Sequence, residues 1–486
     1  MKPFAGNTSA FFCHSNRRFL MFKNYTPVPE DHEPKFLGIF TKNKLFYKGF
    51  FSLLVLIALQ MLAAFTVNLV DNIMLGTYSE TALSGATLVN QLQFILQMIA
   101  SGIGLGIVVL SSQYWGQRRT DPIKKIISIG LKCGFLLGLI FTVATALFPL
   151  QILSIFTNDA VVVAEGVKYL RIMCWTYVIF AVSNSLMHAM QSVETAGIGT
   201  IMSVSTIIIN LCLNYIFIFG HFGAPRLGIT GAAIATLVSR SVELIIILIY
   251  MLAIDKKLKC KLLELLQFDT TYLRDYLKVA MPVVITGALW GVGQAAQTVI
   301  LGHINATTIA ANSIASVIYQ IFTVVGFACA NVASVTTGKT IGQGELHLIR
   351  SQTKTMQGIF VCIGLITGLL IFLLRGAVIS IYSISDETRE LSLQFLMVLS
   401  FTVIGSCYEY PVESGIIAGG GTTKYPALVD NCFIWLFTLP SAFLSAFVFH
   451  FPPLVTFCFL KADQLLKCIP NSITVNRYHW VKVLTK

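Results

Sequence analysis

The stretch GFFSLLVLIALQMLAAFTVNLVDNIMLG, residues 49–76, contains no charged residue except Asp71. A helix of about 20 apolar residues is long enough to cross the ~30 Å hydrocarbon core of a bilayer. We therefore predict a membrane-spanning helix with one carboxylate near its far end. The composition of the whole chain agrees, because 55% of its 486 residues are hydrophobic and only 12% are charged, against roughly 25% charged residues in soluble domains.

Apolar stretches of this length recur along the chain. They predict an all-α membrane protein with twelve transmembrane helices. The last span is the weakest, because Lys461 and Asp463 interrupt its apolar run. The predicted spans are 49–76, 84–112, 126–149, 168–190, 197–219, 229–254, 275–302, 309–338, 355–381, 391–418, 426–449 and 452–472.

The 34 Lys and Arg residues fall mostly on one side of this arrangement. With the N-terminus inside the cell, 27 of them lie in cytoplasmic segments and about five lie in or near outer loops. This positive-inside bias predicts a multi-pass protein of the cell membrane with both termini in the cytoplasm. The basic net charge then reflects membrane topology, and we expect lipid but no nucleic acid as a partner.

The chain also matches itself. A shift of 226 residues aligns 56–140 with a later segment without a gap, and IMLG (73–76) then falls on VILG (299–302). Each copy holds six spans, so the copies point the same way, as in transporters built from two bundles. The predicted domains are an N-terminal cytoplasmic tail at 1–44, a first six-helix bundle at 45–254, a cytoplasmic linker at 255–274, a second six-helix bundle at 275–475 and a C-terminal tail at 476–486.

Polar residues inside two spans of the first bundle are candidates for an ion site. Asn68 and Asp71 share one face of span one, and Asn210 and Asn214 share one face of span five. Asp71 and Asn214 each lie about five residues, or about 8 Å, from the outer end of their span, so a shared site is geometrically reasonable. Ionisable residues at such depth are costly and usually functional. The alternative is a structural Asp that is satisfied by Asn side chains or paired with Arg226.

The second bundle lacks this carboxylate, because the position equivalent to Asp71 is occupied by Gln297. Its own acids, Glu409 and Glu413, are four residues apart on span ten and lie nearer the cytoplasm. A site and a structural network are equally compatible with these two acids. The candidates for lining a substrate cavity are Gln294, Gln297, Glu409 and Glu413.

The segment ASVTTGKT (333–340) fits a loose phosphate-loop pattern. That chemistry needs a loop between a strand and the N-terminus of a helix, whereas this segment ends an apolar helix. Its repeat partner IVVLSSQY (107–114) lacks the Gly-Lys pair, so we interpret the match as a coincidence. The 11 cysteines show no metal-like spacing. The sequence therefore predicts neither an enzyme nor a cofactor, and an ion gradient is the expected source of energy.

Four segments carry a resemblance to a known family. They are ALQMLAAFTVNLVDNIMLG (58–76), NLCLNYIFIFGHFGAPRLGITGAAIATLVSR (210–240), GHINATTIAANSIASVIYQIF (302–322) and LLKCIPNSITVNRYHWVKVLT (465–485). Over about 45–485 the chain resembles the multidrug and toxic compound extrusion (MATE) transporters. The resemblance implies a V-shaped pair of six-helix bundles and efflux of organic cations in exchange for H⁺ or Na⁺. It also implies a cation site, with Na⁺ as one occupant, on Asp71, Asn210 and Asn214.

This chain departs from the family pattern at several positions. Relatives usually carry Pro at the position of Leu56, and they often carry Arg near the positions of Gln191 and Ala418. Many relatives carry an acid in span seven, where this chain has Thr286 and Gly287. The resemblance predicts a monomeric antiporter for amphipathic organic cations. The alternative is a lipid-linked precursor flippase of the same superfamily, which would need a cationic cavity for a pyrophosphate.

Overall fold

The computed structural model of the chain describes residues 40–156, 159–267, 270–304, 306–380 and 385–485. Most of the predicted N-terminal tail lies outside these residues. Four π-helical segments, Tyr250–Ile254, Pro411–Ile417, Phe433–Thr438 and Leu444–Val448, continue α7, α12, α13 and α14 respectively. The helices are α1 (Lys44–Tyr78), α2 (Glu80–Gly116), α3 (Thr120–Leu147), α4 (Pro149–Ser154), α5 (Ala160–Ser192), α6 (Gly197–Phe219), α7 (Ile229–Ile249), α8 (Leu262–Leu266), α9 (Leu273–Gly302), α10 (Ala306–Gly342), α11 (Leu346–Ile379), α12 (Asp386–Tyr410), α13 (Lys424–Cys432), α14 (Leu439–Phe443), α15 (Pro453–Lys461), α16 (Asp463–Leu466) and α17 (Cys468–Arg477).

Within the described ranges, eleven helices are long and apolar enough to cross a membrane, which confirms the all-α membrane fold. The region of the predicted twelfth span is divided into α15, α16 and α17. Helix α15 ends at Lys461 and α16 begins at Asp463, the two charged residues that interrupt the apolar run. On α11, Leu365, Leu369 and Leu373 form one face and are 52%, 58% and 65% exposed. Such a face is suited to lipid.

Most helices extend beyond the predicted spans, because their ends are polar. Helix α1 continues to Tyr78, and Ser79 then separates it from α2. The Ser79 hydroxyl accepts a hydrogen bond from the Ala82 N–H at 3.4 Å, as an N-cap residue does. Asp159 caps α5 in the same way, accepting from the Val161 N–H at 2.9 Å. The length of an apolar run therefore locates a membrane span but underestimates the length of the helix that contains it.

The internal repeat is visible in the helix bounds. Helices α2 and α10 both have 37 residues, and both ends of α10 lie 226 positions after those of α2. The first residues of α5 and α12 have the same separation. The register found for 56–140 therefore continues into later helices, as expected for two bundles of the same topology.

The two halves of the chain contact each other through α1, α2, α9 and α10. Helix α1 packs against α10, its repeat counterpart α9 packs against α2, and α2 crosses α10. The crossing is close, because a Cβ added to Gly116 would lie 2.2 Å from the Lys339 carbonyl oxygen, and one added to Gly342 would lie 1.8 Å from that of Gln113. The crossing lies at the side of the molecule that carries the α2–α3, α7–α9 and α10–α11 connections. We call this side the basic end.

Other close approaches between α2 and α9 also lie toward the basic end. A Cβ on Gly102 would lie 2.7 Å from the Val284 backbone nitrogen, and one on Gly106 would lie 2.7 Å from the Ala280 Cβ. Small residues let membrane helices approach closely enough for backbone packing. The basic-end halves of these helices therefore form the main seam between the two halves of the chain.

Substituting Gly342→Ala tests the crossing of α2 and α10. We expect a loss of about 1–3 kcal/mol, as is typical for overpacking, because the added methyl group must displace the α2 backbone. Gly376→Ala is the matched control, since a Cβ there meets nothing within 4 Å and Ala favours helix. Thermal unfolding in detergent measures both variants, and equal melting temperatures would contradict the assignment of the seam.

Candidate functional site

A chain of hydrogen bonds links Asp71 on α1 to α6 and α7. Asn214 donates through Nδ2 to Oδ1 of Asp71 and to Oδ1 of Asn210 at 3.0 Å. Asn210 in turn donates to the Thr236 hydroxyl at 3.4 Å. All four side chains are buried, and Asn214 is 0% exposed. The structure thus places Asp71, Asn210 and Asn214 in one cluster.

The local sequence explains this geometry. Asn210 and Asn214 are one helical turn apart on α6, so both amides point to the same neighbour. Helix α1 packs along α6, and Asp71 lies seven residues before the end of α1 while Asn214 lies five before the end of α6. Asn68 belongs to α1, but its side chain lies outside the described residues.

Charged and aromatic groups surround Asp71 on the side of α5 and α7. Arg240 interacts electrostatically with Asp71, pairs with Glu243 at 2.8 Å and lies over the Phe180 ring at 5.2 Å. Tyr169 is 2% exposed and interacts electrostatically with Asp71. Tyr169 and Thr236 were not predicted as site residues, because a Tyr or a Thr in an apolar helix is not unusual enough in sequence to indicate a site.

The Asp71 cluster presents oxygen atoms for a small cation. The Asn214 Oδ1 is buried and has no hydrogen-bond partner among the described residues. A buried acceptor of this kind is costly unless a donor or a cation meets it. Carboxylate and amide oxygens are ligands for hard cations, and a carboxylate also accepts a proton. The residues therefore fit either occupant.

A second polar cluster lies within the second half of the chain. The carboxylate oxygens of Glu409, Glu413 and Asp430 lie within 4.8 Å of one another. The Lys467 ammonium lies 2.8 Å from Asp430, 3.3 Å from Asp463 and 3.9 Å from Glu409. Three carboxylates lie within 4 Å of this one ammonium, and Glu413 lies beside two of them. Lys467 therefore balances only part of the charge that the four acids would carry if all were ionised.

Asn471 on α17 completes this cluster. It donates to Oε2 of Glu413 at 2.7 Å, and Glu413 is 1% exposed. Lys467 is 4% exposed, so this lysine is packed inside the protein. Sequence spacing could not have paired it with Glu409, because the two lie 58 residues apart on different helices.

The cavity candidates divide between two environments. Gln297 is buried and Gln294 is half-buried on α9, the helix that packs against α2 and α13. Glu409 and Glu413 belong instead to the Lys467 cluster. Gly287 on α9 cannot be replaced by an acid in this arrangement without movement, because a Cβ there would lie 2.9 Å from the Met98 carbonyl oxygen.

Gln191, at a position where relatives often carry Arg, also has a defined role. Its Nε2 donates to Oε1 of Gln60 at 3.3 Å, which links α5 to α1. Gln60 also packs against Gly199, where an added Cβ would lie 2.3 Å from its Oε1. Gln60 therefore forms a second polar contact of α1, nearer the basic end than Asp71.

Comparison with known proteins gives consistent matches. A family model described as MatE matches residues 57–216 and 282–444. The probable multidrug resistance protein YoeA of Bacillus subtilis (strain 168) is 24% identical over 363 residues, which are 72% of this chain and 76% of that protein.

Solved structures show the same fold. An outward-facing multidrug resistance MATE family transporter of the MOP superfamily has a TM-score of 0.79 and 17% identity, with 90% of this chain and 99% of that chain covered. The MATE transporter VcmN of Vibrio cholerae in its bent form has a TM-score of 0.80 and 16% identity over 90% of this chain and 99% of its own. A MOP superfamily transporter of Pyrococcus furiosus, described as having a binding pocket of reverse polarity, has a TM-score of 0.81 and 16% identity, with 90% and 98% covered.

Replacing Lys467→Met should strongly destabilise the fold. Removing one partner of a buried ion pair leaves uncompensated charge and costs about 3–5 kcal/mol. Lys424→Met serves as the control, because Lys424 begins α13 nearby and is exposed. We expect a lower melting temperature in detergent for the first variant only. Equal stability of the two variants would show that the cluster does not depend on Lys467.

Proposed function

Because the chain belongs to the MATE family of multidrug transporters, we propose that it is a secondary antiporter that exports amphipathic organic cations in exchange for H⁺ or Na⁺. The observation that supports this most is the buried hydrogen bond between Asp71 and Asn214. It gives the first half of the chain a carboxylate that a small cation can occupy. The family consists of transporters and not of enzymes, in line with the sequence analysis.

The coupling follows from the cost of a buried charge. An ionised Asp71 in a hydrocarbon-flanked site is unfavourable unless a cation or a strong donor meets it. Binding of H⁺ or Na⁺ neutralises it and favours one packing of α1 against α6. Loss of the ion favours another. If the exported compound prefers that second arrangement, the two ligands are linked through the conformation they share.

The exported cation would be selected by charge and by apolar contact. Acidic groups favour cations by electrostatic complementarity, and a surface that can repack accepts many shapes. We assign Gln294 and Gln297 to the cavity wall as candidates. Glu409 and Glu413 would contact a substrate only after the Lys467 cluster had opened.

A flippase for pyrophosphate-linked lipids receives less support. Three of the basic groups within the predicted spans are already matched by acceptors. Arg240 pairs with Glu243, Lys132 donates to the Gln267 carbonyl, and Lys467 lies among acids. Such groups are not arranged to hold an anionic phosphate.

We also propose that the protein lies in the cell membrane with the basic end and both termini in the cytoplasm. The bias of Lys and Arg supports this orientation. The seam at the basic end would then close the cytoplasmic side, and the substrate path would open outward in this arrangement.

Efflux of a fluorescent organic cation from loaded cells tests the function. We expect wild type to export the dye and Asp71→Asn to lose at least about tenfold in rate, because the amide cannot exchange a proton and offers Na⁺ no negative charge. Glu390→Gln at matched expression is the control, since Glu390 is an exposed carboxylate on α12. Membrane vesicles given a pH or a Na⁺ gradient then identify the ion.

Equal efflux by wild type and Asp71→Asn would contradict the coupling role of Asp71. Absence of efflux in all strains, with the protein present in the membrane, would contradict the export of organic cations. A loss of export in Glu390→Gln as well would show that the assay reports general damage.

A further inference from the structure

An ion pair joins the two halves of the chain at the basic end. Lys339 on α10 donates to both carboxylate oxygens of Glu194, at 2.7 and 2.8 Å. Glu194 lies between α5 and α6 in the first half, whereas α10 belongs to the second. The pair is about one-third exposed on each side. Lys339 is the lysine of the segment ASVTTGKT, so the coincidental phosphate-loop motif has a different role here.

Two further groups hold Glu194 and its loop in place. The Trp115 indole N–H donates to Oε2 of Glu194 at 3.2 Å. Lys257 donates to the backbone carbonyls of Val193 and Glu194 at 2.7 and 3.0 Å, and it lies 5.5 Å above the Trp115 ring. Glu194 adopts φ +56°, a strained value for a residue with a side chain.

The C-terminal strap, residues 478–485, crosses the same seam. On the side of the second half, the Lys482 N–H donates to the Gly420 carbonyl at 2.9 Å. The Thr422 hydroxyl donates to the Trp480 carbonyl at 2.8 Å. Trp480 is 0% exposed, so the strap is packed and not merely adjacent.

The other edge of the strap contacts α2 in the first half. Gln113 donates through Nε2 to the Lys482 carbonyl at 3.0 Å and accepts from the Leu484 N–H at 2.8 Å. Gln117 donates to the Thr485 hydroxyl at 2.6 Å. A single side chain, Gln113, thus satisfies two backbone groups of the strap. The strap therefore bridges the two halves beside the Glu194–Lys339 pair.

We propose that the Glu194–Lys339 pair and the C-terminal strap form a latch that holds the basic end closed and must open when this end admits substrate. The proposal rests on the alternating access of the proposed antiporter. A partly exposed pair contributes modestly, so the latch shifts a balance between two arrangements and does not lock one of them. Its bonds cross the seam, so they are lost together when the halves separate.

Distances between spin labels test the latch directly. Asp121 on α3 and His347 on α11 are exposed at the basic end and occupy equivalent positions of the repeat. Nitroxides attached through unnatural amino acids at these two positions avoid the 11 cysteines. We expect Glu194→Lys and Lys339→Glu each to increase the ratio of long to short distances about two- to fivefold. The double charge swap should return the ratio toward that of wild type.

The matched control is Glu264→Lys. It breaks the Lys124–Glu264 pair of 2.9 Å, which also lies at the basic end but joins α3 to α8 without crossing the seam. We expect no change in label distance. An increase equal to that of Glu194→Lys would overturn the latch, because it would show a general effect of charge at this end.

The strap is tested by Gln113→Ala against Gln357→Ala. Gln113 contacts the strap across the seam, whereas Gln357 accepts from the Tyr408 hydroxyl at 2.8 Å within the second half. Only Gln113→Ala should lengthen the distance. Unchanged distances in Gln113→Ala and in both single charge variants would contradict the latch even if the protein exports dye. A wild type without export, but with the expected distance changes, would contradict the proposed function and support the latch.

Discussion

The cost of placing a carboxylate inside a membrane governs this structure. Asp71 lies about two turns before the end of α1 and is the only charged residue between positions 49 and 76. The Asn214 amide donates to Asp71, and Asn210 and Thr236 continue the chain of hydrogen bonds to α7. Each of these groups lies on a different turn or helix, so α1, α6 and α7 must keep their relative positions for the carboxylate to remain buried. We therefore expect binding or loss of an ion at Asp71 to change the packing of α1, α6 and α7.

The repeat makes the asymmetry between the halves informative. The two copies of the repeat meet where the equivalent helices α2 and α10 cross, with Gly116 and Gly342 at equivalent positions. The equivalent of Asp71 is nevertheless an uncharged Gln297. The second half buries its acids elsewhere, around Lys467, where an internal ammonium supplies much of the compensating charge. One half thus has a buried carboxylate that we propose binds an exchangeable ion, while the other has a cluster neutralised in part by its own lysine.

Much of the fold could be predicted from the sequence, because spans follow from apolar length and the repeat follows from glycine positions. The proximity of Asp71 and Asn214 was predictable from their depth in helices that run in the same direction. The roles of Tyr169 and Thr236 were not, since neither residue is unusual in a membrane helix. The Lys467 cluster could not be assembled from periodicity, because its members come from α12, α13, α16 and α17 and from the residue between the last two. The latch could not be predicted either, since its bonds across the seam join residues more than 100 positions apart.

The most direct test of the account measures ion release when substrate binds. Purified wild type in detergent, at low buffer strength, is mixed with an organic cation while a pH indicator or radioactive Na⁺ reports the released ion. We predict the release of about one H⁺ or Na⁺ per protein molecule and none from Asp71→Asn, because the two ligands favour opposite arrangements of α1. Substrate binding without release in wild type, or equal release in both proteins, would contradict the central role of Asp71.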